Sequence, residues 1–78
     1  MPVNKKELHD RLAIALRNLR EEAQINQRVM ATRMETNQTA ISMIETGTQY
    51  VRMIDVVAWC VALEVDPVDF LKQFLQEG

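Results

Sequence analysis

The sequence predicts an all-α domain of five helices, and three observations carry that prediction. Only two Gly and two Pro occur in 78 residues, too few turn-makers for many short strands joined by tight hairpins. Apolar side chains recur at three- and four-residue intervals rather than in alternation. Asn or Asp stands just ahead of four of these periodic stretches, where a side-chain oxygen can cap a helix. A chain of this length fills one small core, so residues 1–78 are read as a single domain.

Asn4 followed by Glu7 is a capping-box arrangement, and Leu8, Leu12, Ala15, Leu16, Leu19 and Ala23 then repeat at helical spacing. The first helix is therefore expected over about 5–23. Asn26 can cap a short second helix that ends near Met34, with Val29, Met30 and Met34 inward and Arg28, Thr32 and Arg33 outward. Asn37 can cap a third, with Ile41 and Ile44 in the core and Gln38, Thr39, Ser42 and Met43 facing away; Gly47 ends it. Residues 48–51 connect to a fourth helix over about 53–63. Asp66-Pro67-x-Asp69 opens a fifth, because Pro at the first helical position and an acid two residues later suit the unpaired N–H groups there.

Charge is unevenly spread. Residues 1–53 hold eight Lys or Arg against six acids, a net of +2, whereas residues 54–78 hold Lys72 against five acids, a net of −4. A basic half and an acidic half imply different tasks. The single cysteine, Cys60, cannot make an intrachain disulfide, and residues 56–63 are the longest apolar run, far short of a membrane span. A cytoplasmic location is expected, without export or membrane insertion. One His, one Cys and one Ser supply neither a tetrahedral zinc set nor a Ser/His/Asp triad, and two distant glycines make no phosphate-cradling loop. No enzyme activity, metal or cofactor is expected. Cys60 reads as a small buried hydrophobe, His9 as a solvated residue on the first helix, and Met30, Met34 and Met53 as core filler.

Residues 26–46 are the informative stretch: two short helices joined by a three-residue turn, which must be held by the helices around them. Leu16-Arg17-x-Leu19-Arg20, Ile25-Asn26-Gln27, Met30-Ala31, Ile41-x-x-Ile44-Glu45-x-Gly47, Ala62-Leu63 and Val65 together resemble the Cro and phage-repressor class of DNA-binding domains, the XRE family. The resemblance spans residues 12–71 and implies a five-helix bundle with a helix-turn-helix at about 27–45. It implies that Gln27 bonds a DNA phosphate, with Asn26 and Arg28 beside it, and that Gln38 and Thr39 reach base edges with Ser42 and Met43 one turn further on. It also implies a structural ion pair between Arg20 and Glu45. Thr48, Gln49 and Arg52 are further phosphate candidates. None of the four outward residues of the third helix is acidic, and a helix of small polar side chains fits a major groove about 12 Å wide. The family usually has Gly where Glu35 sits and a basic loop where Thr48, Gln49 and Tyr50 stand, so modest affinity per subunit is expected.

Helix four carries more apolar surface than one core stripe needs. Met53, Val56, Val57, Cys60 and Leu63 read as one face, and Ile54, Ala58, Val61 and Val65 as a second. With Trp59, Phe70 and Phe74 the second face is expected to make a homodimer interface over about 53–77, leaving the basic half for operator DNA. A sequence-specific regulator of transcription, acting as a repressor on a palindrome and without a small-molecule effector, is the function expected. The alternative is a protein-interaction module, antitoxin-like or antirepressor, that keeps the fold while binding DNA weakly or not at all.

Overall fold

A computed structural model describes residues 2–76. Its helices are α1 (Lys5–Glu22), α2 (Gln27–Arg33), α3 (Gln38–Glu45), α4 (Met53–Ala62) and α5 (Pro67–Gln76), with no strand among the described residues. The helix starts follow from short-range chemistry. Side-chain oxygens of Asn4, Asn26 and Asn37 accept from the backbone N–H of Glu7, Val29 and Ala40 at 3.0, 2.8 and 2.9 Å, each satisfying a donor that has no partner inside its helix. Asp66 accepts similarly from Val68 N–H at 2.8 Å. At α4, Asp55 accepts from the backbone N–H of Arg52 at 3.1 Å and from its guanidinium. That guanidinium holds the Asp55 carboxyl below the usual carboxylate range.

Three helix ends share one motif, and none of them uses glycine. Gln24, Glu35 and Glu64 sit at φ 60, 54 and 59°. Each is followed by a residue whose N–H returns to a carbonyl in the last turn: Ile25 to Arg20, Thr36 to Ala31, and Val65 to Cys60, at 3.3, 2.9 and 2.9 Å. This is the Schellman arrangement. A Cβ in the left-handed region costs about 1–2 kcal/mol, so Glu35 holds this turn against local preference. Glu35→Gly is therefore expected to stabilise the domain by about 0.5–1 kcal/mol, the relief of strain less the greater unfolded-state freedom of glycine. A urea midpoint that falls or stays unchanged would refute this.

The core gathers Leu16, Met30, Ala31, Ile41, Ile44, Val56, Trp59, Cys60, Leu63 and Phe70, so all five helices contribute to it. The indole N–H of Trp59 donates to the carbonyl of Leu16 at 3.0 Å, satisfying the one polar group of the largest buried side chain. Two arginines fasten the surrounding helices: Arg33 donates to the Ala62 carbonyl at 2.8 Å, and Arg11 donates to the Phe74 carbonyl at 3.1 Å while lying 5.0 Å over the Phe74 ring.

Several expectations are corrected here. Trp59 and Phe70 are buried within the protomer and have no surface to offer a second copy. Phe74 is half-buried beneath Arg11, on the side of α5 that faces α1. Met53 and Val29 are exposed rather than core. His9 is half-buried, with Nε2 2.9 Å from the Gly47 carbonyl oxygen and its ring centroid 4.3 Å from that of Tyr50. Ile54 and Val61 do stand out, at 62 and 63% exposure, with Val68 and Leu75 exposed on α5.

Candidate nucleic-acid interface

α3 opens on Gln38 immediately after its Asn37 cap. Ile41 and Ile44 anchor the helix from below, and Gln38, Thr39 and Met43 are exposed with Ser42 half-buried. Those four side chains and Gln27, from the first turn of α2, line one open depression. The surface thus combines two amides, two hydroxyls and a thioether, with no carboxylate that phosphate would repel.

A chain of hydrogen bonds runs beneath this surface. Arg20 and Glu45 form a two-pronged pair, Nη2 reaching Oε1 at 2.9 Å and Nε reaching Oε2, while Arg20 Nη1 donates to the Ile25 carbonyl at 2.7 Å. Their side chains are 9 and 1% exposed, and the Glu45 hydrogen bond holds the guanidinium pKa above its ordinary value. Glu45 Oε1 also accepts from Gln27 Nε2 at 3.0 Å, and Gln27 Oε1 accepts from Gln38 Nε2 at 3.3 Å. Core, phosphate candidate and base candidate are therefore joined in series.

The remaining phosphate candidates differ in what they have free. Asn26 uses its side-chain oxygen on Val29 N–H, leaving its NH2 group. Arg28 is exposed and makes no ion pair among the described residues. Thr48 Oγ1 lies 2.9 Å from Thr46 Oγ1, and the Gln49 backbone N–H donates to the Met43 carbonyl at 3.1 Å, folding the loop back on α3. Arg52 is engaged with Asp55, and Arg33 with Ala62. Of the three cations over residues 25–53, Arg52 is thus ion-paired and Arg33 is tethered to a carbonyl but keeps its charge, while Arg28 makes neither contact among the described residues.

Sequence reasoning missed the clasp behind the loop. Gly47, at φ 77°, ends α3 with its carbonyl on His9, and a Cβ there would approach Asp10 Oδ1 and His9 Nε2 to 3.6 and 3.7 Å. The partners lie 38 residues apart, and no local pattern marks the pairing. Elsewhere, burial pushes the Cys60 thiol up from its ordinary value, and among the described residues no group of three or more His, Cys, Asp or Glu could hold a metal ion. No helix of the described residues is long and apolar enough to cross a membrane.

The family model for a helix-turn-helix domain matches residues 11–71. The chain belongs to the helix-turn-helix domain family. Three solved structures place this helix-turn-helix domain among its neighbours. It is similar to the clp gene regulator ClgR from C. glutamicum, with 23% identity, a TM-score of 0.80, and cover of 99% of this chain and 95% of that one. It is similar to the restriction-modification controller protein C.Esp1396I, seen as a tetramer with its natural 35 base-pair operator, with 23% identity, a TM-score of 0.82, and cover of 90 and 92%. The controller protein C.AhdI from Aeromonas hydrophila follows, with 20% identity, a TM-score of 0.72, and cover of 82 and 96%. At these identities the likeness establishes the fold. No curated protein matches the chain.

Proposed function

We propose that this helix-turn-helix domain is a cytoplasmic, sequence-specific regulator of transcription that binds double-stranded DNA as a homodimer and represses by occupying a palindromic operator. The observation that carries the reading is the depression lined by Gln27, Gln38, Thr39, Ser42 and Met43: an uncharged, hydrogen-bonding helix start, free of protein cover, beside the start of α2. Gln27, Asn26 and the N-terminal N–H groups of α2 hold phosphate and set register. Gln38 and Thr39 read base edges, while Met43 and the Thr39 methyl meet thymine methyls. The C.Esp1396I structure on its operator supports the reading by analogy.

The second copy sits on Ile54, Ala58, Val61 and Val65, continued by Val68 and Leu75. Recognition helices then lie about 34 Å apart, one turn of duplex. Arg28 and Arg33 are the cations of α2 without an ion pair among the described residues, so the salt slope of the dimer should be no steeper than about −8, fewer than nine phosphates at roughly 0.9 each. Gln38→Ala is expected to weaken binding to a selected duplex by about tenfold or more, leave nonspecific binding unchanged, and relax the base under that residue. A band-shift series checks this; unchanged binding would remove base readout through α3.

A second reading, a protein-interaction module of antitoxin-like or antirepressor kind, draws on the engagement of Arg33 and Arg52 inside the protomer. Failure to retain any duplex at very low ionic strength would select it.

A further inference from the structure

We propose that Met43, on the open face of α3, is a site of reversible oxidation by a peroxide, and that its sulfoxide releases the domain from DNA; this rests on the DNA-binding reading above. The sulfur atoms of the described residues are sorted by access. Cys60, the single cysteine, is fully buried, and burial pushes its thiol up, so the thiolate that a peroxide attacks is scarce there. Met30 is fully buried as well, and Met34 is half-buried against the core. Met43 and Met53 remain, at 36 and 66% exposure. A thioether reacts in its only form, through the lone pair on sulfur, so access decides which of these methionines is oxidised.

The two exposed methionines differ in what surrounds them. Met53 opens α4 and has no place on the reading surface. Met43 lines the depression with Gln27, Gln38, Thr39 and Ser42. Buried Ile41 and Ile44 carry the core contacts of α3, and the Met43 carbonyl is held by the Gln49 N–H at 3.1 Å. Oxidation therefore alters the side chain without unseating the helix. The sulfur lone pair takes one peroxide oxygen, the O–O bond breaks, and the other oxygen leaves as water with both protons. Sulfur is oxidised by two electrons and the peroxide is reduced by two. An apolar, flexible end becomes a polar, chiral one. Where that end meets a thymine methyl, the new oxygen is an acceptor facing a group with no donor, in the negative field of the phosphates.

The test treats the full chain with hydrogen peroxide, locates the added oxygen by peptide mapping, and measures affinity for a duplex selected from a randomised pool. Oxidation at Met43 is expected to weaken binding by about tenfold or more with the thermal midpoint unchanged. Methionine sulfoxide reductases, one for each epimer, should restore it. Met53→Leu should remain as sensitive as the wild type. Met43→Leu, compared with its own untreated form, should hold its affinity within about twofold. Several results overturn the inference while leaving the DNA-binding reading in place: affinity kept with Met43 oxidised, a Met43 that stays reduced while Met53 is oxidised, protection in Met53→Leu, or a loss in Met43→Leu equal to that of the wild type. A loss that the reductases do not reverse, or that comes only with a lowered thermal midpoint, overturns it too, the latter pointing to Met30 in the core. Failure of the untreated wild type to enrich any duplex overturns both.

Discussion

Glu45→Ala is expected to cost about 3–5 kcal/mol, because it leaves the Arg20 guanidinium buried without its counter-charge. Stability of a domain this size is on the order of 5–10 kcal/mol, so the variant should lie at or near the edge of unfolding at room temperature. Arg20→Ala should be similarly severe: it strips Glu45 of both guanidinium hydrogen bonds and removes the donor to the Ile25 carbonyl. Solvent screening gives little relief with side chains 9 and 1% exposed. Arg20→Lys keeps the charge but not the planar fork, and should fall between wild type and Ala. Replacing both partners at once, Arg20→Met with Glu45→Leu, should recover most of the loss, since the cost lies in the stranded charge rather than in the absence of the pair. Trp59, the single and fully buried tryptophan, reports urea unfolding directly. Single variants within about 0.5 kcal/mol of wild type would mean that water reaches the pair.

How much of this was legible in the sequence depends on the distance over which each interaction acts. The caps of α1, α2 and α3 join residues three apart, so Asn4, Asn26 and Asn37 marked helix starts that the structure reproduces. The Arg20–Glu45 pair spans 25 residues and was visible only through family resemblance. α4 is apolar on nearly every side, so periodicity discriminates poorly between its stripes. Val56, Trp59, Cys60 and Leu63 stand at i, i+3, i+4 and i+7 and form the buried face. Assigning Met53 and Val57 to that face displaced Trp59 toward the outside. Likewise, a charge count treats Arg33 and Arg52 as free, whereas a long flexible side chain finds whichever carbonyl or carboxylate folding brings near. The pairing of His9 with Gly47 depended wholly on how α1 crosses the end of α3, which no local pattern encodes.

Val61→Glu should leave the protomer folded and separate the homodimer proposed above. Val61 is 63% exposed within one copy, so the substitution there is a surface change, within about ±0.5 kcal/mol of wild type. A two-fold interface places the new carboxylate in the seam twice, against the partner's apolar stripe. Residues 54–78 themselves carry a net of −4, with Lys72 as their one cation, and the cation brought beside them from α2 is Arg33, at the Ala62 carbonyl. In the proposed dimer the same charge sets two acidic halves against each other, so moderate salt should tighten the dimer even as it loosens DNA. On that reading each protomer brings one recognition helix, and joining two converts the second docking into an intramolecular step. Losing that should lower apparent affinity for a palindrome by about 10²–10⁴-fold while sparing affinity for an isolated half-site. Sedimentation of both proteins, paired with band shifts on full and half sites, separates the cases. If wild type and Val61→Glu sediment alike and bind the palindrome alike, the α4–α5 stripe is not where the copies meet. If Val61→Glu sediments as a monomer and loses the palindrome but not the half-site, then the apolar stripe of the acidic half supplies the avidity that a weakly basic reading face lacks.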